Sequence, residues 1–145
     1  MSLFSALSVS ASGMAAQRAR AELLTENLAN AETTRTSEGG PYRRKDTVFS
    51  TEPVGNSFSS VFEEASGSSL NGVKVSDIVV DTRDPERRYL PGHPDADQDG
   101  YVAFPRINPA EDMVDLMGAT RSYQANVAAM SAVKDMIQRS IDLLR

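Results

Sequence analysis

Residues 108–145 read NPAEDMVDLMGATRSYQANVAAMSAVKDMIQRSIDLLR, a segment with the start, the periodicity and the end of one long helix. Asn108 is a preferred N-cap residue, Pro109 suits the first helical position, and Glu111 follows three residues after the cap. Arg139 lies near the other end, where the helix dipole favours a positive charge. The segment therefore predicts a helix of about 37 residues, roughly 55 Å long, which is unusual for a small domain.

Apolar residues recur along this helix at alternating intervals of three and four residues, the spacing of a coiled-coil seam. Polar residues interrupt the seam near its middle, and in a packed helix array we expect them to fix the register. The methionines of the segment are interpreted as packing residues and not as a cofactor site. The predicted interface residues of this helix are Met113, Leu116, Tyr123, Gln124, Asn126, Val127, Met130, Ile137, Ile141 and Leu144.

A second and weaker helix is predicted near the start of the chain, from about Ser2 to Asn30. Alanine is abundant there, so a neighbouring helix can approach closely but little apolar area is buried. Gly13 is a weak point, because glycine costs a helix about 1 kcal/mol relative to alanine. Such a helix is marginal alone in water, so we predict that the two terminal helices pair as a coiled-coil-like hairpin. Its predicted interface residues are Leu3, Leu7, Met14, Ala21, Leu24, Asn27, Leu28 and Asn30.

The middle of the chain predicts a small β-rich region. Residues 42–49 and 73–80 have the composition of strands, and in the second the alternation of apolar residues slips by one, which indicates a bulge. Residues 87–90 and 101–104 are predicted to pair as a hairpin. The fold class is therefore mainly α, with a β-hairpin knob between two long helices. The predicted units are an N-terminal helix at 1–34, a β-rich middle at 35–107 with a flexible, serine-rich loop at 55–72, and a C-terminal helix at 108–145.

The composition points away from several classes of function. The net charge of −5 repels nucleic acid and anionic lipid, and the short basic runs 43–45 and 87–88 are interpreted as solvated surface. The chain has no cysteine and one histidine, His93, so thiol chemistry and zinc sites have little support. It has no apolar run of about 20 residues and no Sec-type signal at its start. We therefore predict no enzymatic activity, no cofactor, no metal, no nucleic-acid partner and no membrane insertion.

Residues 95–100, DADQDG, match the first half of a calcium loop, with Gly100 at the sixth position. The twelfth position requires a bidentate carboxylate, and Arg106 stands there instead. A polar turn between two strands is the favoured interpretation, with the question of a bound cation left open.

Two motifs resemble those of a known family. Residues 27–31, NLANA, followed by residues 40–43, GPYR, resemble the N-terminal signature of flagellar rod and hook proteins, and residues 121–126, RSYQAN, resemble the C-terminal signature of proximal rod proteins. The resemblance covers nearly the whole chain and departs from the family in the loop after residue 55.

The resemblance implies a structural subunit of the flagellar basal-body rod. Such subunits leave the cell through the flagellar type III export apparatus and polymerise through their terminal helices into a tube that spans the periplasm and transmits torque from motor to hook. The implied partners are copies of the chain, other rod proteins, the base-plate adaptor protein of the motor and, in transit, the export apparatus. The implied location is the periplasmic rod of the basal body.

The heptad-like spacing by itself also fits a soluble coiled-coil adaptor that dimerises through the same residues. The two hypotheses differ in the geometry of association, because a dimer closes on itself whereas a rod requires a heterologous, non-closing contact.

Overall fold

The computed structural model describes residues 3–53 and 71–143, with side chains from Phe4 onward. Two long helices flank four short strands, as predicted. The elements are α1 (Leu3–Ala29), β1 (Lys45–Pro53), β2 (Asn71–Val80), β3 (Glu86–Tyr89), β4 (Tyr101–Phe104) and α2 (Pro109–Asp142). The flexible loop predicted at 55–72 lies outside the described residues, except that residues 71 and 72 begin β2. Leu144 and the side chain of Leu3 also lie outside them.

The two helices pack side by side and run antiparallel. Arg20 of α1 contacts Asp115 near the start of α2, with 3.3 Å between Nη2 and Oδ2, and Gly13 faces Asn126 farther along. Moving from Asp115 to Asn126 along α2 thus corresponds to moving back from Arg20 to Gly13 along α1, which shows that the helices are antiparallel. The helices contain 27 and 34 residues, so they are roughly 40 and 51 Å long. The predicted hairpin of terminal helices is confirmed.

The start of α2 follows the predicted capping signals. Asn108 has an extended backbone, with φ −101° and ψ 103°, and its Oδ1 accepts a hydrogen bond from the backbone N–H of Ala110 at 3.2 Å. Pro109 occupies the first turn, where its missing N–H costs nothing. No helix in the described part of the chain has the length and apolar character that a membrane span requires.

Strands β1 and β2 form an antiparallel ribbon that contacts α1. Val48 pairs with Asp77 and Phe49 pairs with Val75, so Ser76 is an extra residue on β2. Its hydroxyl donates to the carbonyl of Val48 at 3.0 Å. This confirms the predicted bulge at the point where the apolar alternation slips.

Strands β3 and β4 form the predicted hairpin, with Tyr89 opposite Tyr101. In the turn between them, Asp97 Oδ1 accepts hydrogen bonds from the backbone N–H groups of Asp99 at 3.0 Å and Tyr101 at 2.8 Å. Gly100 has φ +81°, a conformation that favours glycine. The carboxylate of Asp97 thus organises a polar turn. Within residues 3–53 and 71–143, no three His, Cys, Asp or Glu side chains gather into a possible metal site.

Candidate assembly interface

The motif at residues 27–31 fixes the end of α1 to the β ribbon. Asn27 is completely buried, and its Nδ2 donates to the carbonyl of Lys45 at 2.8 Å. Its Oδ1 accepts from the backbone N–H of Lys45 at 3.0 Å and from the hydroxyl of Tyr42 at 3.1 Å. The amide thus offers the first residue of β1 one donor and one acceptor, as a neighbouring strand would. Burial, helped by the negative charge of Glu26, raises the pKa of Tyr42 to about 12, so its hydroxyl stays a donor.

Asn30 closes α1 just beyond its last helical residue. Its Nδ2 donates to the carbonyl of Glu26 at 2.9 Å, and its Oδ1 accepts from the hydroxyl of Thr33 at 3.2 Å. In the turn that follows, Gly39 and Gly40 have φ of +89° and +77°. Both asparagines of the motif therefore have structural roles within the chain, and their part in contacts between subunits stays a prediction.

One face of α2 lies against α1, and we call it the inner face. The helix has three buried residues, Asp112, Ala119 and Val133. Helical geometry places four half-buried residues on the same side. The inner face consists of Asp112, Leu116, Ala119, Asn126, Met130, Val133 and Ile137.

The predicted seam of α2 coincides with the inner face only in part. Four of its members lie there: Leu116, Asn126, Met130 and Ile137. The others whose side chains are described are exposed: Met113, Tyr123, Gln124, Val127 and Ile141. Their role in contacts with other subunits stays a prediction. The prediction missed polar Asp112 and small Ala119, which an apolar pattern does not select, and it missed Val133, which lies out of phase with the predicted spacing.

The opposite side of α2 carries a second set of apolar residues, which Arg121 and Arg139 interrupt, and we call this apolar set the outer face. Its residues are exposed, and the side chains of Val114 and Met117 keep 68% and 57% of their accessible surface. Exposed apolar residues on the side away from α1 are typical of a surface that packs against another protein. The outer face consists of Val114, Met117, Ala125, Ala128, Ala132, Met136 and Leu143.

The predicted interface residues of α1 lie mostly on its packed side. The predicted residues Leu24 and Asn27 are buried, as is Ala16, which was not predicted. The half-buried members of the prediction are Leu7, Met14, Ala21, Leu28 and Asn30. The exposed side of α1 carries small residues in its first half, namely Ser8, Ala11 and Ala15, which allow the close approach of another helix. The exposed ion pair between Arg18 and Glu22, at 2.8 Å, follows them on the same side.

The two helices approach each other closely at Gly13. A Cβ added there would be 3.0 Å from Nδ2, 3.1 Å from Oδ1 and 3.2 Å from Cγ of Asn126. The amide of Asn126 is itself held by a hydrogen bond from Nδ2 to the carbonyl of Ser122 at 3.0 Å. The sequence identified Gly13 only as a weak point of the helix, and the structure shows that its missing side chain makes room for Asn126.

A buried ion pair joins α2 to the residue before β1. Asp112 is 1% exposed, and its Oδ1 lies 2.9 Å from Nη2 of Arg44, whose side chain is 18% exposed. The distance suits a hydrogen bond, but neither carboxylate oxygen receives an aligned one within the described chain. Burial raises the pKa of the Asp112 carboxyl, and Arg44 opposes that effect. The expectation of a solvated basic run at 43–45 is therefore wrong for Arg44.

Nη2 of Arg44 also lies 3.5 Å from Oδ1 of Asp46, whose side chain is exposed, and two further ion pairs lie nearby. Arg20 binds Asp115, and Nζ of Lys45 lies 2.6 Å from Oε1 of Glu26, so α1, α2 and the start of β1 are linked in pairs. Each of these side chains is about one-third exposed or more, so each pair contributes little to stability.

Comparisons with known proteins agree with the resemblance carried by residues 27–31 and 121–126. The family model described as flagellar basal body rod FlgEFG protein C-terminal matches residues 98–143. The flagellar basal-body rod protein FlgC of Bacillus subtilis is 45% identical to this chain over 99% of both chains. The FlgC proteins of Borreliella burgdorferi and Salmonella typhimurium are 34% and 36% identical, over 100% and 99% of this chain and 99% and 98% of their own. The chain therefore belongs to the FlgC family of flagellar basal-body rod proteins.

Proposed function

We propose that this chain is a structural subunit of the proximal rod of the flagellar basal body. It polymerises through α1 and α2 into the tube that spans the periplasm and passes torque from motor to hook. The observation that carries the proposal is the second apolar face of α2. A single chain covers only the inner face, so most of the outer face remains in contact with water until other subunits pack against it.

The rod role has more support than the soluble adaptor. The relatives that match over 99% of their length are named as rod proteins. This chain supplies two long helices and a small β region. A dimer that closed through the inner faces would have to open the α1–α2 contact, which the chain already makes internally.

The proposed partners are copies of this chain and other rod proteins along the tube, the base-plate adaptor protein at the motor, and the type III export apparatus in transit. The proposed role requires no catalysis, cofactor, nucleic acid or insertion into the membrane. The proposed assembly surface combines the outer face with the exposed members of the predicted interface, Met113, Tyr123, Gln124, Val127 and Ile141.

The substitution Val127→Asp tests this function. Val127 is 41% exposed in the single chain, so a charge there should leave the folded chain intact but disfavour a helix seam between subunits. We expect normal export, a normal circular dichroism spectrum and no assembled rod. Cells carrying the variant should not swim.

Gln98→Asp is the matched control, because it adds the same charge at an exposed turn outside both helices. Cells with that variant should swim normally. Basal bodies isolated from Val127→Asp cells with the usual amount of this chain would contradict the proposed packing.

A further inference from the structure

The hairpin of β3 and β4 carries two exposed aromatic rings. Tyr89 and Tyr101 lie opposite each other, with ring centroids 5.4 Å apart and an angle of 64° between the ring planes. Their side chains keep 64% and 43% of their accessible surface. The Tyr89 ring also packs on Gly100, where an added Cβ would lie 2.9 Å from Cε2 of Tyr89. The rings are therefore ordered before any partner binds, and tyrosine is a residue on which binding energy often concentrates.

Opposite charges flank the two rings. Arg87 lies two residues before Tyr89, so it shares their side of the hairpin. Asp99 lies in the turn at the other end, roughly 10–13 Å from Arg87 along the hairpin axis. Both are exposed, and within residues 3–53 and 71–143 neither forms an ion pair. We call Arg87, Tyr89, Tyr101 and Asp99 the hairpin patch, whose order along the hairpin is positive, aromatic, negative.

The outer side of α2 carries the opposite order of charges near the start of the helix. Glu111, Val114, Gly118 and Arg121 recur at intervals of three, four and three residues, so they lie along one side of the helix. Glu111 and Arg121 are roughly 15 Å apart along the axis. Both are exposed, and neither forms an ion pair in the part of the chain that the structure describes. The helix patch consists of Glu111, Val114, Met117, Gly118 and Arg121, in the order negative, apolar, positive.

We propose that the hairpin patch of one copy packs on the helix patch of a second copy. Arg87 then faces Glu111 of the second copy, and Asp99 faces its Arg121. The two tyrosine rings lie between these charges, against Val114 and Met117. This inference rests on the proposed function, and it names the surface that covers the first part of the outer face in the rod.

The two patches match in charge and in length. The charges of each patch meet charges of opposite sign, and the long arginine side chains accommodate the small difference between the two spans. In the opposite orientation, like charges would face each other, so the contact also fixes the direction of packing. Arg121 is the only charged residue between positions 116 and 133, so no acid of α2 competes for it nearby.

The patches also match in shape. A Cβ added at Gly118 meets no atom within 4 Å in the single chain, so this position leaves the helix backbone open to a flat ring. The thioether of Met117 lies beside it, and sulfur packs favourably against aromatic rings. Gly118 thus gains a partner of stated chemistry, a tyrosine ring of the next copy.

The contact joins two different surfaces of the same chain, so it is heterologous. Both patches are exposed in the single chain, and a copy that uses its hairpin patch still offers its helix patch to another copy. Such a contact can repeat without closing. Two hairpin patches related by a two-fold axis would also match in charge, but that contact would close after two copies and leave Gly118 without a partner.

The absence of native cysteine allows a direct test in assembled rods. A chain with Tyr101→Cys and Met117→Cys carries one thiol in each patch. Basal bodies isolated from cells with this chain are oxidised, and covalent multimers are measured on a non-reducing gel. The control carries Tyr101→Cys with Met136→Cys, whose second thiol lies on the same outer face but roughly 28 Å farther along α2. We expect at least about tenfold more multimer from the first chain than from the control.

Charge reversal provides an independent measurement. Asp99→Arg and Arg121→Asp each place like charges face to face, so each should lower the number of rods per cell at least about threefold. The two reversals combined in one chain restore opposite charges at every contact, and the number of rods should return to within about twofold of the parent. Arg139→Asp lies on the same side of α2 outside the helix patch, and it should not rescue Asp99→Arg. Circular dichroism checks that each purified chain is folded.

Each outcome bears on the inference. Multimers formed by Tyr101→Cys alone would show that two hairpin patches meet and would overturn it, as would a crosslink to a different protein. A double reversal that assembles no better than both single reversals would also overturn it, and this comparison decides alone if the cysteine chains form no rods. Normal rods without multimers would overturn the inference and leave the rod function standing, whereas absence of the parent chain from isolated basal bodies would refute the function itself.

Discussion

The contact between Gly13 and Asn126 predicts that the effect of Gly13→Ala on stability depends on the residue at position 126. Glycine inside a helix costs about 1 kcal/mol relative to alanine, so Gly13→Ala would stabilise α1 if space were available. The added methyl would lie within 3.0–3.2 Å of three atoms of the Asn126 amide, which a hydrogen bond to Ser122 holds in place. Such overpacking typically costs about 1–3 kcal/mol. We therefore expect a net effect between neutral and about 2 kcal/mol of destabilisation.

The effect should reverse when the amide is removed. In an Asn126→Ala background, Gly13→Ala should raise the free energy of unfolding by about 1 kcal/mol, since only the helix propensity remains. The coupling between the two sites should thus be about 1–3 kcal/mol. Urea denaturation of the four proteins, followed by circular dichroism, gives each free energy from the midpoint and slope.

Gly118 in α2 provides the matched control. A Cβ added there has no atom within 4 Å in the single chain, so Gly118→Ala should stabilise by about 1 kcal/mol with or without Asn126. If Gly13→Ala also stabilised both backgrounds by this amount, the helices would not approach each other closely at Asn126, and the described packing of α1 on α2 would be wrong.

Three further predictions follow from polar contacts. Asn27→Ala should destabilise the chain by roughly 3 kcal/mol, because two backbone groups of Lys45 and the hydroxyl of Tyr42 lose their partner. Asn30→Ala should cost only about 1 kcal/mol in the same urea titration. Asn108→Ala should cost about 1 kcal/mol through loss of the N-cap, measured as a lower thermal midpoint. Hydrogen bonds from Arg83 lower the pKa of Asp81 to about 2. The stabilisation of the folded chain by this ion pair is therefore complete above about pH 4 and is lost as the pH falls through 2. An NMR titration of the Asp81 carboxyl with a midpoint near 4 would contradict the contact.

Local signals in the sequence predicted most of the fold. Both helices and the start of α2 at Asn108 follow from periodicity and capping, which act within a few residues of each other. The bulge at Ser76 follows from the slip in apolar alternation, because every residue of a strand must face one side or the other. These features are determined by neighbours in sequence, so no knowledge of tertiary contacts was needed.

The face of α2 that packs against α1 was predicted only in part. When a helix has apolar residues on two sides, their spacing does not determine which side packs against its neighbour. A buried acid such as Asp112 makes the packed side look less apolar than it is. Its partner Arg44 lies 68 positions away, so no local pattern connects them. The role of Asn27 as a substitute for a neighbouring strand likewise depends on a distant backbone, that of Lys45.

The two helical glycines show how folding and assembly place different demands on the same chain. The cost of Gly13 to α1 has an explanation inside the chain, because Asn126 fills the space that a side chain would occupy. Gly118 destabilises α2 by about as much. No contact within the single chain explains it, since an added Cβ would meet no atom within 4 Å. It lies beside Met117 on the side of α2 that other subunits are proposed to cover. In the proposed rod, a glycine at this position would let a neighbouring backbone approach closely, so we infer that the stability which Gly118 costs the monomer is offset by contact between subunits.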